Sequence, residues 1–255
     1  MIPLRQRLLG GGQAVGIFVQ APHPVVAEVL GGLGPDLVCL DQEHAPMGPE
    51  AIHALVGGAM LAGLPAIVRV AAGTAHHVAA ALDAGAVGVL VPRVESGTEA
   101  ADVVRFARYP PVGARGVGPA RATGYGRRIG DAVARAGDET LVGVQVETRR
   151  GVERLDEILA VEGVDLVFVG PGDLAASLGL DGGLADARLR PVVEEILDRI
   201  AAAGRASGIF AAEPAAGAEW LARGAGLVLL GSDLGFLATG VEQAWQLLNE
   251  LRASA

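Results

Sequence analysis

Polar side chains that could do acid–base chemistry gather directly after a short apolar run. Residues 37–46 read LVCLDQEHAP, so Asp41, Glu43 and His44 follow the apolar residues without a spacer. A carboxylate beside an imidazole can act as an acid–base pair, because the carboxylate sets the tautomer and basicity of the ring. The same cluster could instead be the solvated start of a loop. Which other polar residues lie near the cluster decides between an acid–base pair and a loop start.

Arg69 is a second candidate, because it stands inside the apolar run IVRV at residues 67–70. An unpaired guanidinium would be costly to bury, so Arg69 needs an anion. An ion pair with Asp41 or Glu43 would satisfy it, and so would a bound anionic substrate or a developing enolate oxygen. The sequence leaves both alternatives open.

Two further carboxylates follow apolar runs in the second half of the chain, Glu147 in VQVET and Asp173 in GPGD. Two carboxylates at adjacent strand ends suit a hard divalent cation such as Mg²⁺ or Mn²⁺, with waters and substrate oxygens completing its coordination. Zinc is less favoured because every histidine lies in the first 77 residues. Alternatively, Glu147 caps a helix or pairs with a neighbouring arginine.

The glycines of GPGD offer a different function, since their backbone N–H groups are not covered by side chains. Such a segment can hold a carboxylate or a phosphate, although glycines after a strand are also ordinary turn residues.

The elements that must position these groups form a repeated pattern of short β-branched runs and longer helical segments. This alternation predicts eight β/α units and a closed (β/α)8 barrel, in which the carboxyl ends of the strands converge on one face. The predicted strands cover residues 15–20, 37–42, 65–70, 88–94, 141–147, 166–170, 206–211 and 226–231. The predicted helices cover residues 23–32, 49–62, 75–84, 97–107, 150–161, 187–203, 214–222 and 235–252.

Two connections are too long for ordinary turns. We expect the segment 109–130 to be a loop with a role in function or subunit contact, and the segment 170–186 to be a second long loop. The alternative fold, an open doubly wound sheet, would place a G-x-G-x-x-G fingerprint after the first strand, and APHPVVAEVL stands there instead. Residues 1–255 are therefore interpreted as one barrel domain.

Composition excludes several kinds of chemistry. All 20 basic residues are arginine, so no lysine can form a Schiff base. A formal charge of −9 argues against a general nucleic-acid surface. The single cysteine, Cys39, is expected to be a small buried hydrophobe. Arginines at 105, 108, 115, 121, 127 and 128 are interpreted mainly as subunit contacts or solvated charge.

We also expect a cytoplasmic protein. A long stretch without Arg, Asp or Glu, residues 51–68, contains paired glycines and a proline, and the first residues lack a long apolar region.

Six separated stretches together resemble the HpcH/HpaI aldolase family: LDQEHAP, IVRV, ALDAGAVGVLVPRV, RYPPVGARGVG, VQVET and VFVGPGDLAASLG. Their order and spacing match over nearly the whole chain, from GIFVQAPHP to LGSDLGFLATG. The resemblance implies a (β/α)8 barrel of the phosphoenolpyruvate/pyruvate-binding type. It also implies a class II pyruvate aldolase that reversibly cleaves 4-hydroxy-2-oxo acids to pyruvate and an aldehyde.

The resemblance further implies a role for each matching residue. Glu147 and Asp173 would bind the metal, Arg69 would stabilise the enolate oxygen, and His44 with Asp41 would form the acid–base pair. Substrate contacts would come from Gln145 and from the backbone of Gly170, Pro171 and Gly172. Asp83 matches an acid that the family associates with the catalytic histidine. In one interpretation, this acid contacts the histidine of a neighbouring subunit. Apart from the resemblance, we expect Glu43 to support the neighbouring active-site groups without contacting the substrate.

The expected cofactor is Mg²⁺ or Mn²⁺, with Co²⁺ as a further option. The expected partners are a keto acid, an aldehyde and further copies of the chain, as a trimer or hexamer whose last helix packs on a neighbour. The alternatives are oxaloacetate decarboxylation or acyl-CoA lyase chemistry at the same site, and a metal-binding barrel without catalysis. His44 and Arg69 count against that last alternative, because metal binding alone needs neither.

Overall fold

A computed structural model, which describes residues 2–254, contains a closed barrel of eight parallel strands in sequential order. The predicted barrel is confirmed, and each predicted strand overlaps an observed one. The strands are β1 Ala14–Val19, β2 Leu37–Asp41, β3 Ala66–Arg69, β4 Gly88–Val91, β5 Leu141–Val146, β6 Leu166–Val169, β7 Ala206–Ala211 and β8 Leu227–Ser232.

Residues 2–254 contain twelve α-helices, against eight predicted. They are α1 Leu4–Leu9, α2 Val25–Gly31, α3 Pro49–Leu61, α4 Ala75–Asp83, α5 Gly97–Ala107, α6 Ile129–Glu139, α7 Arg149–Glu153, α8 Leu155–Leu159, α9 Pro171–Leu178, α10 Leu189–Ala202, α11 Pro214–Ala222 and α12 Asp233–Ala253. The single helix expected over 150–161 is divided into α7 and α8, and α1, α6 and α9 were not expected.

Both segments expected to be long loops contain helical turns: residues 109–128 are otherwise irregular, as expected, whereas helices take up much of 170–186, where the expectation was wrong. The first contains a 3₁₀ helix at Arg121–Thr123 and ends in α6, while the second begins with α9. In α9, Pro171 occupies the first helical position, where its missing N–H breaks no hydrogen bond. The glycine–proline pair was therefore a helix start, although it resembles a loop signal.

The strands bury side chains on both faces, which explains why they read as continuous apolar runs. On β2, Leu37 and Cys39 pack inside the barrel with residues such as Phe168, while Val38 and Leu40 pack against the outer helices. Because side chains alternate along a strand, Asp41 continues the inward row at the carboxyl end of β2. Cys39 is fully buried, as expected.

Strand register fixes which polar residues become neighbours. β2 and β3 pair so that Asp41 stands beside Arg69, and β5 and β6 pair so that Gln145 stands beside Phe168. The inward position and the register together place the polar groups at the carboxyl end of the barrel.

Two of the arginines expected to be solvated or at contacts are buried within the chain. Arg108 binds Asp165 at 2.9 Å, and Asp165 also pairs with Arg5 of α1. Arg115 binds Asp83 at 2.7 Å. Both arginines follow α5 near the amino-terminal face of the barrel, where the buried Asp165 neutralises Arg108 and the partly exposed Asp83 neutralises Arg115.

The last helix, α12, is exposed along its length beyond Asp233. Its exposed apolar side chains include Phe236, Leu237, Val241, Trp245 and Leu248. In residues 2–254, no helix is both long enough and apolar enough to cross a membrane.

Candidate active site

A cavity of about 230 Å³ opens at the carboxyl-terminal face of the barrel. It collects most of the site residues proposed from the sequence. Its walls contain His44, Arg69, Gln145, the first turn of α9 and a ring of apolar side chains. The described lining residues are Phe18, Gln20, His44, Arg69, Gln145, Phe168, Gly170, Pro171, Gly172, Asp173, Leu184, Phe210 and Ser232.

The buried Arg69 forms a two-point ion pair with Asp41 at the floor of this cavity. Arg69 Nε donates to Asp41 Oδ1 at 3.0 Å, and Arg69 Nη2 donates to Oδ2 at 2.7 Å. The Phe18 ring lies 4.4 Å from the guanidinium carbon and adds a cation–π contact. Arg69 therefore has the structural partner that the sequence left open, while part of its guanidinium still lines the cavity.

The ion pair changes the acidity of Asp41. Burial alone would raise the pKa of this carboxyl group, but the hydrogen bonds and charge of Arg69 outweigh burial and hold it below its ordinary value. Asp41 is therefore an anion at neutral pH. It also accepts hydrogen bonds from the backbone N–H groups of Glu43 and His44.

His44 and Glu43 lie in the segment that follows β2. The His44 side chain is about half exposed, and its Nε2 lies 3.7 Å from Glu43 Oε2. The same Glu43 oxygen lies 3.4 Å from Arg69 Nη1. The carboxylate beside the His44 ring is thus that of Glu43, whereas Asp41 contacts His44 through the backbone. This geometry differs from the expected Asp41–His44 side-chain pair.

Glu147 is buried beneath the cavity wall between strands β4 and β6. Its Oε1 accepts from the backbone N–H of Arg93 at 2.8 Å, and its Oε2 accepts from Gln145 Nε2. Burial raises the pKa of Glu147 to about 7; these hydrogen bonds oppose the rise, and the charges of Glu43 and Asp173 add to it. An arrangement that favours the neutral acid in this way is poised to accept a cation.

The donor set fits a hard divalent cation. Glu147 and Asp173 supply carboxylate oxygens, and Gln145 Oε1 is a buried oxygen with no hydrogen-bond partner. Among the described residues, no group of three or more His, Cys, Asp or Glu side chains could hold a metal ion by itself. Such a cation would therefore take part of its coordination from water or substrate oxygens, as Mg²⁺ commonly does.

Gly170 makes this arrangement possible through a close approach of backbone to side chains. A Cβ atom at Gly170 would meet Glu147 Oε2, and it would lie 2.7 Å from Gln145 Nε2. By contrast, a Cβ atom at Gly172 would meet nothing within 4 Å. Gly170 therefore leaves room for Glu147 and Gln145, while the start of α9 forms a wall of the cavity.

Asp83 is the one proposed site residue that lies away from the cavity. It ends α4, which runs back toward the amino-terminal face of the barrel, and its carboxylate binds Arg115. Asp83 therefore does not reach His44 of its own chain. Any contact between the two would require a neighbouring copy.

The sequence interpretation missed several residues that shape the site. Gln20 follows β1 and donates through Nε2 to Asp41 Oδ2 at 3.2 Å. Asp233 fixes the end of β1 by accepting from the backbone N–H groups of Gln20 and Ala21 at 2.8 and 3.0 Å. The signal for Gln20 was present, because it ends a predicted strand just as Asp41 and Arg69 do.

A parallel eight-stranded barrel with charged groups collected around a cavity at its carboxyl-terminal face defines an enzyme-like barrel. Comparison with known families makes this more specific. Residues 14–239 match the model of the HpcH/HpaI aldolase/citrate lyase family, and the chain belongs to this family.

Curated relatives and a solved structure resemble the chain over nearly its full length. A hydroxypyruvate/pyruvate aldolase from Roseovarius nubinhibens is 41% identical over 94% of this chain and 93% of its own length. A 2-keto-3-deoxy-L-rhamnonate aldolase from Klebsiella pneumoniae is 39% identical over 91% of this chain and 87% of its own. The crystal structure of a family protein from Burkholderia cenocepacia has a TM-score of 0.91 and 37% identity, covering 96% of this chain and 98% of that one.

Proposed function

We propose that this chain is a divalent-cation-dependent aldolase that reversibly cleaves 4-hydroxy-2-oxo acids to pyruvate and an aldehyde. One observation carries the proposal: a buried arginine, an imidazole and a two-carboxylate donor set surround a single cavity at the carboxyl end of the barrel. The curated relatives, which are named aldolases, support the same class of reaction.

Cleavage of such an acid leaves negative charge on the keto oxygen of the pyruvate fragment. Glu147, Asp173 and the Gln145 amide oxygen would hold the cation, which when bound supplies Lewis-acid stabilisation of that charge. Mg²⁺ and Mn²⁺ suit these oxygen donors, and Co²⁺ is a further option. Without lysine, the chain has no amine that could store the charge as an enamine.

The residues of the chain then divide the remaining work. The Arg69 guanidinium, held in place by Asp41, presents a fixed positive charge to the keto oxygen. The first turn of α9 lines the cavity and suits the substrate carboxylate, because a helix N-terminus favours an anion. His44 takes the proton from the 4-hydroxyl group during cleavage and returns it during synthesis.

A pyruvate-release assay over a panel of 4-hydroxy-2-oxo acids tests this function. We expect release from at least one member, loss of release after exhaustive chelation, and recovery when Mn²⁺ or Mg²⁺ is restored. Full activity in the chelated protein would overturn the role of the cation. No pyruvate from any member would overturn the aldolase assignment, and oxaloacetate in the same panel reports decarboxylation.

We also propose that the chain forms a homo-oligomer, a trimer or hexamer, in which α12 packs on a neighbouring copy. The exposed apolar row of α12, from Phe236 to Leu248, supports this because such side chains gain stability when another surface covers them. An assembly would also give Asp83 a route to the cavity of a neighbour. Light scattering should give a mass several times that of one chain, and Trp245→Glu should lower it.

A further inference from the structure

The Asp41 carboxylate has no free position for the His44 ring. Its Oδ1 accepts from Arg69 Nε and from the backbone N–H groups of Glu43 and His44 at 3.1 and 3.2 Å. Its Oδ2 accepts from Arg69 Nη2 and from Gln20 Nε2. A carboxylate offers about four lone-pair positions. Five donors already occupy these positions, so the Asp41 carboxylate has a structural role and cannot also accept a hydrogen bond from the His44 ring.

Glu43, in contrast to Asp41, has a carboxylate oxygen that is still available for a hydrogen bond. Its Oε2 is buried without a hydrogen-bond partner, yet it lies within ion-pair distance of both His44 Nε2 and Arg69 Nη1. A buried carboxylate oxygen without a partner is costly, so a donor must come to it when the site is occupied. Arg69 Nη1 and the His44 imidazole are the donors within reach, and since Arg69 is already paired with Asp41, the half-exposed His44 ring is the one still available.

We propose that Glu43 is the positioning residue for the His44 imidazole, and that it links this ring to Arg69. This inference rests on the proposed function, in which His44 moves the proton of the substrate hydroxyl group. The Glu43 carboxylate holds a proton on Nε2, which leaves Nδ1 as the nitrogen that accepts a proton. It also places one negative charge between the ring and the guanidinium.

Several charged groups surround Glu43 and affect this arrangement. Burial raises the pKa of Glu43 above its ordinary value, Arg69 and His44 act in the opposite direction, and Asp173 and Asp41 add to the rise. Arg69 and His44 are the two groups close enough for ion pairs, at 3.4 and 3.7 Å. The carboxylate is thus held by the same two groups that it organises.

Glu43→Gln tests the proposal because it keeps the size of the side chain and removes its charge. We expect kcat for cleavage to fall about 10–100-fold while KM changes less than about threefold, as for an aid to proton transfer rather than to binding. The acid limb of the kcat/KM profile should move to lower pH, because a negative charge near the ring is lost. Glu43→Asp should recover part of kcat.

Glu50→Gln is the matched control, since it removes an exposed carboxylate from the start of α3 nearby. It should leave kcat and the pH profile unchanged. Equal melting temperatures of Glu43→Gln and the wild type would separate a positioning role from a structural one. Wild-type kcat and an unmoved pH profile in Glu43→Gln would overturn the proposal.

A second measurement works even if the chain releases no pyruvate. Diethylpyrocarbonate modifies neutral imidazoles, so the modification rate of the His44 peptide, followed by mass spectrometry across pH, reports when that ring loses its proton. We expect the pH profile of His44 modification to shift to lower pH in Glu43→Gln, because a negative charge near the ring is lost, while the modification of His76 in the same protein is unchanged. If the His44 profile shifts but no pyruvate is released, only the aldolase assignment is overturned. If the His44 profile does not shift, the role of Glu43 is overturned.

Discussion

Replacing Asp41 by Asn should destabilise the fold strongly, because it leaves the buried Arg69 charge without its main partner. The two groups are 0% and 7% exposed, and two hydrogen bonds of 3.0 and 2.7 Å join them. Removing one member of such a buried pair costs about 3–5 kcal/mol. Phe18 and Glu43 remain near the guanidinium, so we expect a loss near the lower end, about 3 kcal/mol.

Urea unfolding at pH 7, followed by circular dichroism, measures this loss through the free energy of unfolding. Asp41→Asn should lower the free energy of unfolding, and adding Arg69→Met to that variant should restore part of it, since the unpaired charge is then gone. A loss below about 1 kcal/mol in Asp41→Asn would refute the conclusion that this pair is buried and tightly coupled.

The pH dependence of the same pair has a defined sign. The pKa of Asp41 is lower in the folded protein than in the unfolded chain, where it is about 3.9. The folded state therefore binds fewer protons, and the contribution of the pair is fully present above about pH 4. It is lost as the pH falls through the lowered pKa, so the stability difference between the wild type and Asp41→Asn should shrink in acid.

Three further outcomes follow from the site. Because the pKa of Glu147 is raised to about 7, a proton competes with Mn²⁺, so Mn²⁺ affinity measured by calorimetry should rise with pH up to about 7 and then level off; a flat profile would contradict this. Gly170→Ala should weaken Mn²⁺ binding at least about tenfold by displacing Glu147, whereas Gly172→Ala, whose Cβ meets nothing within 4 Å, should not; equal affinities would contradict it. Among the described cavity residues, Arg69 is the only Arg or Lys, and its charge is already paired with Asp41. The cavity therefore has no unpaired Arg or Lys for a second carboxylate, so aldehydes without a carboxylate should have a kcat/KM at least about tenfold above that of carboxylated aldehydes of similar size. A preference for the carboxylated aldehydes in that panel would count against the lining described above.

The barrel was predictable from the sequence because its strands are buried on both faces and therefore read as distinct apolar runs. The same regularity made the carboxyl-end position of Arg69 and Gln145 predictable. Helix α1 escaped prediction because it is short, and α9 because it begins with proline after a glycine, residues that also mark loops. Helix α6 escaped because it contains two glycines, Gly130 and Gly137.

The pairing of individual side chains was less predictable. That Asp41 faces Arg69 depends on the register between β2 and β3, which the closure of the whole barrel sets. The neighbouring carboxylates Asp41 and Glu43 are chemically similar in the sequence, so no local pattern could show which of them would be committed to the arginine. Asp83 matched a motif, but the direction of α4 takes it to the other face of the barrel.

Asp233 connects the exposed last helix with the chemistry inside the barrel. As the first residue of α12, it binds the backbone of Gln20, and the Gln20 side chain binds Asp41, the partner of Arg69. If α12 packs on a second copy, as proposed, a tilt of that helix would pull on the residue that holds the guanidinium. Assembly and the alignment of the positive charge would then be mechanically coupled, and a loosened interface would appear as reduced turnover before any unfolding is seen.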